Sequence, residues 1–424
     1  MRKNYYQHEI QNNYNKKEIW IINDKQYNAD DNGEYFFRFL KNKNPEGIKY
    51  YFSIKKDCLD YERLKTLGDI LEFGSNKHLN IFLKANKVIS SVAESWAYNP
   101  FGVDQIYIRD LLNFSFILIQ SGFIENDLYK SFNRIYENLN FIIVSSNKEY
   151  KAILNEKYVT SKNKVLLTGL PKYDNLLKLQ SLIHKERIIL IIPNVIKFIN
   201  GFIGTKIYSN KYSNSFNLNE YFNFYNNLIN NNQLLQKMKK LGFVGFFCLN
   251  PYFSKHFVYF KQNQIFSVLE KCNYQNLLLK SSLLVTDYSN YFFDFAYLKK
   301  PIIYTQFDYE HSKKYSKIYF DYNINGFGPV CYNLECTINK IISNLENNCN
   351  MKKKYLRRIN SFFKYTDGKN CDRLLLNLLN NSAINFEKYN KEKTSNKIII
   401  LMLFSFLLKM ILKFINIFTI IIYN

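Results

Sequence analysis

Glycine and proline are scarce, at 14 and 7 of 424 residues, which excludes collagen-like and proline-rich linker classes. The seven cysteines (Cys58, Cys248, Cys272, Cys331, Cys336, Cys349 and Cys371) are odd in number and scattered, with no CxxC. That pattern argues against a zinc site or a disulfide framework and predicts a reducing compartment. Histidine is also thin, with five in the chain, so few imidazoles exist for general-base work near neutral pH. Acidic residues number 35 against 58 basic ones, a formal net charge of +23. AT-rich coding accounts for part of that surplus, and the rest favours anionic partners such as nucleotides, phosphate polymers or acidic lipid surfaces. Residues Met1–Asn12 hold no apolar run, so no signal peptide is expected. No DxD motif in a glycosyltransferase-like setting occurs, and no cofactor or obligatory metal is expected.

What the chain does have is apolar content, 47% of residues, with 17% aromatic. That is enough for sizeable cores, and the length predicts about two to three domains. Strand candidates are Glu18–Ile22, Lys49–Ile54, Val88–Ser91, Phe116–Gln120, Phe141–Ser145 and Val165–Thr168, with helical stretches such as Tyr61–Leu67 and Ile124–Asn133 between them. The pattern restarts at Arg187–Pro193. There follow a helix over Leu218–Leu241, strand Val244–Leu249, helix Asn273–Lys280, strand Leu283–Asp287, helix Tyr291–Leu298 and strand Pro301–Tyr304. Strands alternating with helices predict mainly parallel sheets covered on both faces. Two α/β domains are expected, over residues 1–180 and 186–380.

Residues 381–397 are polar and charged and read as a linker. The segment 398–424 is strongly apolar, with Ser405, Lys409, Lys413, Asn416 and Thr419 falling on one helical stripe. It is long enough to span a bilayer. A span would bury Lys409 at a cost of about 2.5–3.5 kcal/mol, whereas an in-plane amphipathic helix keeps both lysines at headgroups. The in-plane anchor is the favoured expectation.

In open α/β sheets ligands bind at the carboxyl ends of strands. The most informative such point is Leu283-Leu284-Val285-Thr286-Asp287-Tyr288-Ser289-Asn290, where a buried strand runs straight into a helix. Ser289 and Asn290 are placed to cap that helix, and its amino end suits a phosphate. A purely structural cap is the competing reading. Ala29–Glu34 sets three carboxylates in one turn at another strand end, either an acceptor-binding feature or an ordinary turn. Lys172, Arg134 and Arg373 are candidate phosphate-binding or structural cations.

The stretch Ser281–Asp308 (SSLLVTDYSNYFFDFAYLKKPIIYTQFD) resembles the signature of CDP-glycerol glycerophosphotransferases of the teichoic-acid and capsule type. Further segments resemble the same family in the same order: Ala29–Glu34 (ADDNGE), Gln120–Arg134 (QSGFIENDLYKSFNR), Leu167–Leu176 (LTGLPKYDNL), Tyr319–Pro329 (YFDYNINGFGP) and Asp367–Arg373 (DGKNCDR). The resemblance covers about residues 15–380.

The resemblance implies a GT-B-like fold, two Rossmann-like domains facing a cleft. It implies an N-terminal acceptor side and a C-terminal side for the CDP-activated donor. Glycerol phosphate or a related polyol phosphate would pass to a membrane-linked acceptor in teichoic acid-like or capsular polymer synthesis, releasing CMP. Thr286, Asp287, Ser289, Asn290, Asp294 and Lys172 are the expected donor contacts, and Asp30, Asp31, Glu34 and Arg134 the expected acceptor side. Two positions depart from the family pattern, which is expected to carry histidine where Ser121 and Asn250 stand here. Neither is a competent base near neutral pH. A substitute base could come from Asp30, Asp31, Asp127 or His256. The alternatives are a chain without turnover that binds polymer or a partner enzyme, and a GT-B glycosyltransferase using a nucleotide sugar. The expected location is the cytoplasmic face of the plasma membrane, with no nucleic-acid partner.

Overall fold

The computed structural model describes residues 17–102, 104, 108, 111–122, 139–154, 162–193, 218–249, 260–270, 272–310 and 320–389, with backbone alone for 218, 219 and 381–389. The expected helix Ile124–Asn133 and the apolar segment 398–424 lie outside these residues.

The first half alternates strands and helices from its first described strand. It runs β1 (Glu18–Asn23), α1 (Asn32–Lys43), β2 (Ile48–Ile54), α2 (Asp60–Lys65), β3 (Ile70–Glu72), α3 (Asn76–Phe82) and β4 (Lys87–Ser90). It continues with α4 (Ser95–Tyr98), β5 (Ser115–Leu118), β6 (Leu139–Val144), α5 (Asn147–Ile153), β7 (Val165–Leu167) and α6 (Pro171–Gln180). The seven strands form one sheet in the order β3-β2-β1-β4-β5-β6-β7, with every pairing parallel.

The second half runs β8 (Ile188–Ile192), α7 (Leu218–Ile229), α8 (Asn232–Leu241), β9 (Val244–Cys248), β10 (Phe266–Leu269), α9 (Tyr274–Lys280) and β11 (Leu283–Thr286). Then come α10 (Tyr291–Tyr297), β12 (Ile302–Thr305), α11 (Tyr322–Asn325), β13 (Val330–Cys331), α12 (Leu334–Glu346), α13 (Lys353–Phe362) and α14 (Asn370–Tyr389). Its six strands are ordered β10-β9-β8-β11-β12-β13, again all parallel. Both sheets therefore reverse direction beside their first strand, where α/β folds place ligands.

By packing, the chain divides into a unit spanning Met1–Cys371, which holds both sheets, and a second, Asp372–Asn424. Within the second, the backbone of α14 continues as helix to Tyr389, into the stretch read as a linker.

The central strands are buried on both faces, and so they read as continuous apolar runs: IILII of β8 is buried at every position. In the first sheet Ile21, Val88, Phe116, Leu118, Ile142 and Val144 share a core with Phe82, Tyr98 and Ile153. In the second, Ile189, Ile191, Phe247, Val285 and Ile303 pack with Tyr225, Leu228, Leu234, Met238 and Ile341.

The helix expected over Leu218–Leu241 is two helices. Asn231 leaves the helical region (φ −69°, ψ 120°) and its side chain accepts the Leu234 amide at 3.0 Å, capping α8. Asparagine competes locally for backbone donors, so the break is side-chain chemistry and not a loss of periodicity.

Candidate active site

The carboxyl end of β1 leads into a polar knot. Asp24 is buried, and its carboxylate accepts the backbone N–H groups of Asp31 (3.2 Å), Gly33 (2.7 Å) and Glu34 (3.1 Å), together with the Ser91 hydroxyl. These donors form the amino end of α1, so a carboxylate of the chain itself occupies the position where such a helix attracts anions. Gly33 allows the approach, because a Cβ there would stand 2.6 Å from both Asn23 O and Asp24 Oδ1. Burial, with the Glu34 charge adding, pushes the Asp24 carboxyl up to about 6, against the donors it accepts.

Asp31 caps α1, its Oδ1 accepting the Asn32 amide at 2.8 Å. The residue keeps part of its surface open, while its carboxyl group sits deep among protein atoms. Burial and the nearby Asp24 charge push it up to about 8, opposed by Lys172, the Asn32 N–H and Lys25.

Asn32 has no exposed surface and joins three segments. Its Nδ2 donates to Gln120 O at 2.8 Å, and its Oδ1 accepts the Lys172 amide at 2.9 Å. Gln120 holds φ at +54°, a left-handed conformation that costs a non-glycine residue energy, and it opens the Gln120-Ser121-Gly122 turn. The Lys172 ammonium, buried at the start of α6, reaches Asp294 Oδ1 (2.9 Å), Asp294 Oδ2 (3.0 Å) and Ser121 O (3.2 Å). Burial lowers its pKa, but the carboxylates of Asp294 and Asp31 more than offset that and raise it above the ordinary lysine value. This buried pair ties the first half to α10 of the second.

Across from that pair, Asn290 and Ser121 are both exposed on facing loops. A Cβ on Gly122 would lie 3.3 Å from Asn290 Nδ2, so the two turns are in near contact. Two of the six motifs thus meet at one place, with ADDNGE and LTGLPKYDNL held against them by Asn32 and Lys172. DGKNCDR joins through Asp174, which accepts the amides of Asn370 (3.0 Å) and Cys371 (2.8 Å). Gly169 (φ +81°) lets the Asn370 amide approach, and Tyr173 stacks on Tyr297 at 4.1 Å between centroids.

Not every expected donor contact points into the cleft. Thr286 is fully buried and its hydroxyl donates to Ile192 O at 2.6 Å, fastening β11 to β8. Asp287 and Ser289 are buried too, and Asp287 Oδ1 accepts the Tyr288 amide. Tyr288 donates to Asp308 Oδ1 at 3.1 Å, and burial with the Asp287 charge pushes the Asp308 carboxyl up to about 7. Asn290 stands at the start of α10 but in helical backbone, without a side-chain capping bond. The expected Ser289/Asn290 cap is absent because the preceding turn is already wound.

Of the residues expected on the acceptor side, Glu34 is buried and fully engaged. Arg38 Nε (2.7 Å) and Arg63 Nη2 (2.8 Å) donate to it, as does the Asp30 amide (2.8 Å). Burial pushes its carboxyl up, but Arg63 and Arg38 prevail and hold it below the usual range. Asp30 is exposed at φ +72° and accepts the Tyr35 hydroxyl. Of the histidines, His78 is buried between Phe73 and Phe82, burial driving it down to about 4, and His184 is exposed between α6 and β8. Asp127, Arg134, Asn250 and His256 lie outside the described residues. Asp24 and Asn32 were not singled out in the sequence. Their signal was a strand ending in Asn-Asp and an asparagine inside an acidic turn.

A model of the family CDP-Glycerol:Poly(glycerophosphate) glycerophosphotransferase matches residues 4–380. The chain belongs to that family. It is 37% identical over 384 residues to the minor teichoic acid biosynthesis protein GgaB of Bacillus subtilis (strain 168), covering 89% of this chain and 41% of GgaB. The chain thus spans well under half the length of that relative. The fold is similar to that of the wall teichoic acid polymerase TagF (TM-score 0.60, 14% identity, 87% of this chain and 90% of that one). It is also similar to a putative UDP-N-acetylglucosamine 2-epimerase from Listeria monocytogenes (TM-score 0.54, 12% identity, 84% and 95%). The chain thus has two parallel-sheet α/β halves in a GT-B-like fold, as expected from the resemblance. Among the described residues no helix is long and apolar enough to cross a membrane.

Proposed function

We propose that this chain transfers glycerol phosphate, or a related polyol phosphate, from a CDP-activated donor to a lipid-linked polyol-phosphate acceptor, releasing CMP. The acceptor hydroxyl attacks the donor's β-phosphorus, the bond from that phosphorus to the bridging oxygen breaks, and CMP leaves. The observation that carries the reading is the meeting of the Gln120–Gly122 turn with Asn290 beside the buried Lys172–Asp294 pair. Residues 1–180 serve the acceptor and residues 186–380 the donor. Ser121 and Asn290 line the facing walls, and Asp31, partly open at the amino end of α1 with its carboxyl pushed up by burial, is the candidate base. Thr286 supports the donor loop from within the sheet. The protein works at the cytoplasmic membrane face, with the segment 398–424 as its in-plane anchor.

The test is incubation of the full chain with radiolabelled CDP-glycerol and membranes, reading CMP release and label in polymer, beside CDP-ribitol and UDP-sugars. Label from a UDP-sugar alone would make it a glycosyltransferase. A second reading is favoured by Ser121 and Asn250: a chain that binds polymer or a partner enzyme without turnover. CMP release gained only by the Ser121→His, Asn250→His double variant would establish that reading.

A further inference from the structure

Helix α13 and its flanks carry charge of one sign. Between Glu346 and Asp367 the chain holds Lys352, Lys353, Lys354, Arg357, Arg358 and Lys364 and no carboxylate. Lys352, Lys353, Lys354, Arg357 and Lys364 are exposed, and among the described residues none of the five forms an ion pair. Lys353 and Arg357 stand one turn apart on one stripe, as do Lys354 and Arg358, with an axial spacing of about 6 Å. That step is comparable to the reach of one three-carbon phosphodiester repeat. The lysines crowd the amino end of the helix, where no acidic residue offsets them and the backbone dipole already disfavours cations.

A second observation extends the stripe toward the first half. Lys148, at the start of α5, donates to Asn325, and its pKa is lowered by partial burial and then by the charge of Arg358, with Asp321 opposing. Arg358 in turn donates to Gly326 O at 2.8 Å. Two cations therefore face each other where the halves meet, an arrangement that an anion relieves. The apolar side of α13 is already spent, with Ile359, Phe362 and Phe363 buried in the body. The exposed large apolar side chains of the described residues include none from this helix, so it has nothing to insert into a bilayer.

We propose that the stripe Lys353, Lys354, Arg357, Arg358 and Lys148 is a docking track for a polyanionic phosphodiester chain of polyol units, distinct from the residues assigned to the transfer itself. The identity of the polyanion rests on the function proposed above. The track holds the growing acceptor between transfers, so affinity rises with acceptor length and falls with salt.

The test compares full-length protein with the triple variant Lys353→Gln, Lys354→Gln, Arg357→Gln. The probes are fluorescently labelled poly(glycerol phosphate) several units long, glycerol 3-phosphate, and equimolar phosphatidylglycerol–phosphatidylcholine vesicles. Wild type is expected to bind the polymer, and the triple variant to bind it roughly ten- to hundredfold more weakly. Its unfolding midpoint and its turnover of the shortest acceptor should be unchanged. A Lys353→Arg, Lys354→Arg variant should keep wild-type affinity. Equal polymer affinity in wild type and triple variant overturns the proposal. So does loss of vesicle binding with polymer binding intact, which would assign the stripe to a lipid surface. If CDP-glycerol turnover is absent while the charge-dependent polymer binding holds, the track stands and the proposed reaction falls.

Discussion

Replacing Lys172 with methionine removes one member of a buried ion pair and keeps most of the side-chain volume. Asp294 is 6% exposed, and the lysine ammonium lies within 3.0 Å of both its oxygens. The substitution leaves that carboxylate uncompensated and removes the donor to Ser121 O at 3.2 Å. Breaking such a pair from one side costs about 3–5 kcal/mol, whereas removing both charges together is close to neutral. The urea midpoint of Lys172→Met should therefore fall by about 1 M or more, and Lys172→Met combined with Asp294→Leu should recover most of it. The loss has a pH signature. Burial raises the Asp294 carboxyl above its ordinary 3.8, so folding favours its protonated form. Stability contributed that way is complete below the unfolded value and disappears as pH rises through the folded one. The deficit of the single variant should be small near pH 4 and full near pH 8. Urea titrations at both pH values on wild type, single and double variants measure this. A single variant as stable as wild type at pH 8, or a double variant no better than the single, would refute the view that the pair is a buried, mutually dependent link.

Gly33→Ala places a methyl 2.6 Å from Asn23 O and Asp24 Oδ1 and should cost about 1–3 kcal/mol, read as a lowered thermal midpoint. Because Asp308 is pushed from 3.8 up to about 7, its contribution to stability is present at low pH and lost as pH climbs through 7. Asp308→Asn keeps an acceptor for Tyr288, so its urea midpoint should change less between pH 6 and pH 8 than that of wild type. Asn290 is exposed and uncommitted to a cap, so Asn290→Ala should leave the unfolding midpoint within experimental scatter while weakening CDP-glycerol binding severalfold by calorimetry. Unchanged binding would remove it from the donor site.

The central strands were legible because parallel strands covered on both faces read as apolar runs, as in EIWII and RIILIIP. The outer strands β3, β10 and β13 were not, whereas the outer strand β7, only 3 residues long, was read from its Val-Leu-Leu run. Motif order pointed correctly to the family, yet roles inside the motifs were harder to read. Thr286 looked like a phosphate ligand until its hydroxyl was found on Ile192 O, 94 positions away. Glu34 was expected on the acceptor side, and in the structure Arg63 and Arg38 hold it. Lys172 and Asp294 are 122 positions apart, and nothing local to either announces the other. What sequence conceals here is pairing across sheets and between halves.

Both sheets set their first strand at the point where the strand order turns back. With the Asp24 carboxylate seated on the first turn of α1, the N–H groups that would otherwise greet an anion there are already taken. A carboxylate of the chain itself thereby stands in for a ligand at that strand end, and a single side chain decides what the turn can accept.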